Sequence, residues 1–228
     1  MRGLSSANAL AVNIFRGICK VNYTRAFVRS RRGFPDVVAG LPRSRAALAY
    51  AEEQHAGQVR KADGAPFIVH PIEVASLLYD AGAGDDVIAA GVLHDTIEKS
   101  DTNAAELRRR FGTRTAALVA AVTEDEHING YATRKAALRR QAEDAGTEAM
   151  MVFAADKVSK IRELPVERHG SEAETVSRTR QRRLAHYRHC LEMLERHIGD
   201  SPLVRQLRAE LEARAAIPIR RPALADAV

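Results

Sequence analysis

Apolar positions recur every three to four residues along most of the chain, and Gly or Pro falls between the periodic stretches. The spacing predicts a first helix over 43–56, closed by Gly57. Pro71 suits a first helical turn, so a second helix is expected from His70-Pro71 to the Gly82–Gly84 break. A third is expected over Val87–Glu98, with Val87/Gly91/Asp95 and Ala90/His94/Glu98 at helical i, i+4 spacing. Asn103-x-x-Glu106 has the form of a capped start and Gly112 that of a stop. Further helices are expected near 114–124, 130–145 and 147–164, the last two separated by Gly146. Ser171-x-x-Glu174 reads as a capping box opening a long helix to about His197, on which Leu184, Tyr187, Leu191 and Leu194 form a packing face. Gly199, Ser201 and Pro202 mark a stop and a restart, with a terminal helix to about Ala215. No stretch alternates with period two, and no repeat is seen, so the expected fold class is all-α.

Composition narrows the class. The chain has 228 residues, 46% hydrophobic, with no Trp and 5% aromatics, which suits one helical domain with an appendage. No stretch approaches the roughly 18 apolar residues of a membrane span, so no membrane partner is expected. Two cysteines, Cys19 and Cys190, make no disulfide framework and point to a reducing, cytoplasmic setting. The formal charge of +6 is confined to residues 1–40, where Arg2, Arg16, Lys20, Arg25, Arg29, Arg31 and Arg32 face only Asp36. The remainder is neutral, so no nucleic-acid partner is expected, and Arg108–Arg110 and Arg180–Arg183 read as solvated helix faces. Residues 1–40 are expected to be a disordered leader or upstream sequence from a misassigned start, followed by a domain over 41–165, C-terminal helices over 166–216 packed on it, and a tail over 217–228.

Candidate chemistry sits at the end of the apolar run Val87–Leu93, where His94-Asp95 and Glu98 follow directly. Buried charge is costly without a partner, and a metal ion is one of the few partners that makes it favourable. Asp156, a lone carboxylate within Met151–Val158, and His70, at a helix start, are the other candidate ligands. Two imidazoles and two carboxylates would suit Mn²⁺, Fe²⁺, Mg²⁺ or Zn²⁺. Taken singly, an isolated His is more often a hydrogen-bonded structural residue, and a lone Asp is often a cap or an ion-pair partner.

The run Ala51-x-x-x-His55-x-Gly57-Gln58-x-Arg60-Lys61-x-x-Gly64-x-Pro66-Phe67-Ile68-x-His70-Pro71-x-x-Val74-Ala75 resembles the hydrolase domain of the RelA/SpoT family, within the HD superfamily of phosphohydrolases. The resemblance continues through Leu93–Glu98, Phe111-Gly112, Val122–Glu124 and Ala155–Lys157, roughly residues 43–165. It implies an HD-domain helical bundle with additional C-terminal helices, similar to a stand-alone small alarmone hydrolase. It further implies His70, His94, Asp95 and Asp156 as metal ligands, with Mn²⁺ as the ion. By the same resemblance the activity is removal of the 3′-pyrophosphate from (p)ppGpp by a metal-activated water, with Arg60 and Lys61 on the guanine nucleotide; the apolar face of the long helix 171–197 leaves monomer or homodimer open. Glu98 is placed to handle the proton. His55 and Gly57 read as structural, and His127, His169, His186, His189 and His197 as surface residues.

The chain departs from the family at three positions. Lys99 stands where a second acid follows Glu98, Lys160 where an Asn is usual, and Glu163 where a Thr is expected. The metal side is intact while the substrate side, where Lys160 and Arg162 join Arg60 and Lys61 as candidate contacts, is altered, and Lys99 stands with Glu98 as a catalytic candidate. Three readings remain: a (p)ppGpp 3′-pyrophosphohydrolase, a phosphohydrolase of another nucleotide such as NADPH, and an alarmone sensor inactivated by Lys99.

Overall fold

Seven successive residues, Val87 to Leu93, lack charged side chains and are all buried, so the helix they form must be covered on every side. In the computed structural model of the chain, which describes residues 38–164 and 173–215, this helix lies at the centre. A 3-10 turn, Val38–Gly40, leads into α1 (Pro42–Gln54), α2 (Val69–Asp80), α3 (Asp85–Leu93), α4 (Thr96–Lys99) and α5 (Ala104–Val122). Then follow α6 (Tyr131–Asp144), α7 (Thr147–Arg162), α8 (Ala173–Ile198) and α9 (Pro202–Ala215). Helices α1, α2, α5 and α7 pack around α3, and α8 and α9 pack on α7 and on each other. Among the described residues there is no strand, only a lone antiparallel bridge between Val59 and Pro66, so the all-α expectation holds. No helix of these residues is long and apolar enough to cross a membrane.

Two close contacts set the site-bearing helices. A Cβ on Gly91 would collide with Leu78 Cδ1 and stand 3.7 Å from Ala75 Cα, so glycine is what lets α2 and α3 approach. The Asp85 carboxylate accepts the backbone N–H groups of Arg43 at 2.9 Å and Ser44 at 2.8 Å, donors that have no partner inside the first turn of α1.

The chain departs from the sequence expectations at several places. The helix expected to run through Glu98 ends at Leu93 and resumes as the short α4. Gly112, by contrast, stands at φ 85° and ψ 166° and interrupts α5, so the expected stop there and the restart near 114 hold. His186 is 6% exposed, not a surface residue, because it shares the face of α8 that carries Cys190 one turn later. Arg180 is likewise buried, and its Nη2 donates to the Arg214 carbonyl at 2.6 Å. His127, His189 and His197 are exposed as expected. Residues 1–37, Ser171 and the Glu174 side chain of the expected capping box, His169 and the tail lie outside the described residues.

The burial of His186 has a measurable consequence. Burial first, then the cations Lys157, Lys135 and Arg139, drive its imidazole down to about 2. A folded pKa below the unfolded value of about 6.5 means that the folded chain binds fewer protons, so the stabilisation is complete above that pH and is lost as pH falls. At pH 5 the loss is about 2 kcal/mol, taking roughly 1.4 kcal/mol per unit. The midpoint of thermal unfolding should therefore drop between about pH 7 and pH 5, and His186→Gln should flatten that drop.

Candidate metal centre

The end of α3 is set by side chains that take backbone carbonyls. His94 Nδ1 lies 2.8 Å from the Gly91 carbonyl, and Thr96 Oγ1 donates to the Leu93 carbonyl at 2.7 Å. Both acceptors would otherwise serve the next helical turn, so the chain bends here. A carbonyl only accepts, which places the hydrogen on His94 Nδ1 and leaves Nε2 with its lone pair. His70, in the first turn of α2, brings its own Nε2 to 3.1 Å from that of His94, while its Nδ1 lies 2.9 Å from Ser159 Oγ. Asp156, from α7, sets Oδ1 at 3.2 Å from His70 Nε2 and 3.4 Å from His94 Nε2. Asp95 adds a carboxylate 3.5 Å from each ring.

His70, His94 and Asp156 offer ligand atoms within 4.8 Å of one another, and all three side chains are buried, as is Asp95. Two imidazole nitrogens facing each other repel if both carry lone pairs. Asp95 Oδ2 and Asp156 Oδ1 are buried oxygens without a well-formed hydrogen bond, the latter facing the ammonium of Lys160 at 2.9 Å. Each feature is unfavourable alone, and one divalent cation between them relieves both, so these residues fit a metal ion. The mixed nitrogen and oxygen donor set suits Mn²⁺, Fe²⁺, Mg²⁺ or Zn²⁺.

Lysines crowd the same carboxylates. Lys160 Nζ lies 2.9 Å from Asp156 Oδ1 and 3.7 Å from Asp95 Oδ1, and Lys99 Nζ lies 3.2 Å from Asp95 Oδ1. Lys157 Nζ sits 2.6 Å from Asp156 Oδ2, over the Phe153 ring. Burial opposes ionisation of both aspartates, but the cations prevail. Lys160, His94 and Lys99 hold the Asp95 carboxyl well below its ordinary range, and Lys157 and Lys160 do the same for Asp156. Burial lowers His70, whereas in His94 the effect of burial is outweighed by Asp95 and Asp156 and the net shift is upward. Burial, and then repulsion by Asp95, raise Glu98, whose Oε1 accepts the Glu124 N–H at 2.6 Å. A carboxyl drawn towards neutrality beside a metal site is suited to proton transfer.

Of the residues singled out from sequence, His70, His94, Asp95, Asp156, Glu98, Lys99 and Lys160 are thus linked into one cluster. Arg60 is buried in the loop between α1 and α2, bound to Asp63 and to Glu163, while Lys61 beside it is exposed. Glu163, the third departure, lies 3.7 Å from His70 Nδ1. Arg162 is committed elsewhere: its guanidinium bridges Glu73 and Glu210, each at 2.7 Å. Sequence reasoning overlooked Ser159 and Glu73, although each lies three residues after a candidate ligand, a spacing that shares a helix face. It also overlooked Lys135, which burial and then Lys157 and Lys160 lower to about 8. Nothing local could have revealed it, because α6 meets α7 only through tertiary packing.

The HD domain family model matches residues 47–187 of the chain. The guanosine-3′,5′-bis(diphosphate) 3′-pyrophosphohydrolase of Aquifex aeolicus (strain VF5) is 45% identical over 78 residues, covering 34% of this chain and 11% of that protein. The protein of the same name from Danio rerio is 38% identical over 118 residues, covering 50% of this chain and 65% of that one. The chain therefore spans between 11% and 65% of the length of these two relatives. A solved structure of a metazoan SpoT ortholog, described as hydrolysing ppGpp, superposes with a TM-score of 0.64 at 22% identity, over 77% of this chain and 97% of that one, a likeness of fold.

Proposed function

The chain belongs to the HD domain family, and on that premise we propose that it is a Mn²⁺-dependent hydrolase that removes the 3′-pyrophosphate from (p)ppGpp. The observation that carries this reading is the convergence of two inward imidazole nitrogens and two buried carboxylates on one point. The names of the Aquifex aeolicus and Danio rerio relatives supply the substrate class. Location in the cytoplasm and a nucleotide rather than a nucleic acid as partner belong to the same reading.

His70, His94, Asp95 and Asp156 would hold the ion. When bound, a divalent ion lowers the pKa of water and draws charge from phosphoryl oxygens. In the reaction a water oxygen bonds to the phosphorus attached to the ribose 3′ oxygen, the bond from that phosphorus to the 3′ oxygen breaks, and the alcohol and pyrophosphate leave. Glu98, whose affinity for a proton is raised, takes a proton from the attacking water and returns it to the departing 3′ oxygen. Lys99 and Lys160 are about one-third exposed, so their ammonium groups can leave the carboxylates and meet phosphate as point charges. Lys61 is exposed beside the buried Arg60, which supports its assignment to the guanine nucleotide.

A second reading is favoured by one observation: the Lys99 ammonium lies where the family places a second acid, 3.8 Å from Glu98 Oε2. A cation there suits the phosphate of another nucleotide, NADPH among them, or a sensor that binds without turnover. A hydrolysis panel with Mn²⁺ tests these readings. Pyrophosphate release from ppGpp that EDTA abolishes is expected, whereas phosphate release from NADPH or binding alone would favour the second reading. Lys99→Asp, which restores the acid, is expected to raise ppGpp turnover roughly tenfold or more.

A further inference from the structure

His70 is held from behind by a chain of polar groups that reaches beyond the matched family region. Ser159 Oγ donates to Glu73 Oε2 at 2.8 Å and lies 2.9 Å from His70 Nδ1. Glu73 is also bound by Arg162, through Nη1 at 2.7 Å. A hydroxyl has one hydrogen, and here it goes to a carboxylate that can only accept. The contact with the imidazole is therefore N–H to oxygen, which puts the hydrogen of His70 on Nδ1 and turns the Nε2 lone pair towards His94 and Asp156. Ser159 is fully buried, so no water competes for this bond.

The chain of contacts continues to the C-terminal helix. Arg162 Nε donates to Glu210 Oε1 at 2.7 Å, and Arg214 donates to the carbonyls of Leu164 at 2.7 Å and Arg162 at 2.9 Å. Glu210 and Arg214 both belong to α9, beyond residue 187 where the family match ends. We propose that Ser159 and Glu73 are positioning residues that set the tautomer and direction of His70, and that α9 holds them in register through Glu210 and Arg162. The C-terminal helix thereby tunes metal affinity without touching the metal.

The inference rests on the metal site proposed above, and the tests separate the two. Calorimetric titration of the full chain with Mn²⁺ alone should show Ser159→Ala weakened by about 10–100-fold, the range for lost partners of ligating histidines. Ser159→Thr, which keeps the hydroxyl, should recover most of that loss, and a merely structural defect would not follow this pattern. Glu210→Gln should weaken binding by a smaller factor, roughly two- to tenfold. Nitrogen–proton NMR correlation spectra of the EDTA-treated chain should show His70 with its hydrogen on Nδ1, and Ser159→Ala should lose that preference. Equal Mn²⁺ affinity in wild type and Ser159→Ala, or a wild-type His70 with its hydrogen on Nε2, would overturn the relay alone. No Mn²⁺ binding by the wild type would overturn the metal site itself, and with it the tuning role assigned to α9.

Discussion

Replacing His94 with alanine should abolish Mn²⁺-dependent pyrophosphate release, a fall of roughly a thousandfold or more. The side chain contributes one of the two inward nitrogens, its ring is fixed by the Gly91 carbonyl at 2.8 Å, and alanine carries no ligand atom in its place. The loss should be specific to the site. The Gly91 carbonyl loses its side-chain partner, at a cost of about 1–3 kcal/mol, which lowers the unfolding midpoint without removing the fold. The distinguishing measurement is thermal unfolding with and without Mn²⁺. Ion present at about 100 times its Kd should stabilise the wild type by about 2.7 kcal/mol, whereas His94→Ala should gain almost nothing. An unchanged rate in His94→Ala would show that the chemistry lies elsewhere in the chain.

Replacing Lys160 with methionine should have two opposite effects of similar size. The ammonium lies between the Asp156 and Asp95 carboxylates, at 2.9 and 3.7 Å, and is the leading cation holding Asp95 ionised. Without it, two buried carboxylates face each other with less countercharge, and the EDTA-treated chain should lose about 1–2 kcal/mol of stability. This figure lies below the 3–5 kcal/mol of a fully buried pair because the lysine is 34% exposed. A divalent ion must displace the same ammonium from Asp156, so Mn²⁺ should bind Lys160→Met about tenfold more tightly, taking 1.4 kcal/mol per factor of ten. Chemical unfolding of the EDTA-treated chain and calorimetric titration with Mn²⁺ measure the two halves. Weaker Mn²⁺ binding by the variant would show that the lysine supports the ion rather than competing with it.

Much of this arrangement is legible along the chain. The helical period, the Gly and Pro punctuation and the isolated carboxylate of Asp156 are local features, and they locate α1, α2, α6 and α7 to within a few residues. The break after Leu93 is not legible in the same way, because the i, i+4 spacing of Ala90, His94 and Glu98 suits an unbroken helix. Two side chains, His94 and Thr96, decide otherwise by taking carbonyls within hydrogen-bond distance. The burial of His186 escaped sequence reasoning for a similar reason. The packing face of Leu184, Tyr187 and Leu194 is legible in the periodicity, but an imidazole among basic neighbours reads as solvated, and only packing shows that His186 joins that face.

The residue types that fit a divalent ion, and the helical segments that carry them, follow from the chain alone, because both depend on chemistry and on neighbours within one or two turns. How those groups are used depends on packing between distant segments. Lys160 meets Asp95 across 65 positions of chain, Ser159 meets Glu73 across 86, and Glu210 meets Arg162 across 48. The strength and sign of such contacts depend on separation and on exclusion of water, which packing sets and residue order alone does not encode. The pair His94-Asp95, with Lys99 one helical turn beyond Asp95, is therefore readable in the bare sequence, whereas the competition of Lys160 for the Asp95 carboxylate and the relay that aims His70 arise only once α2, α3, α7 and α9 are brought together.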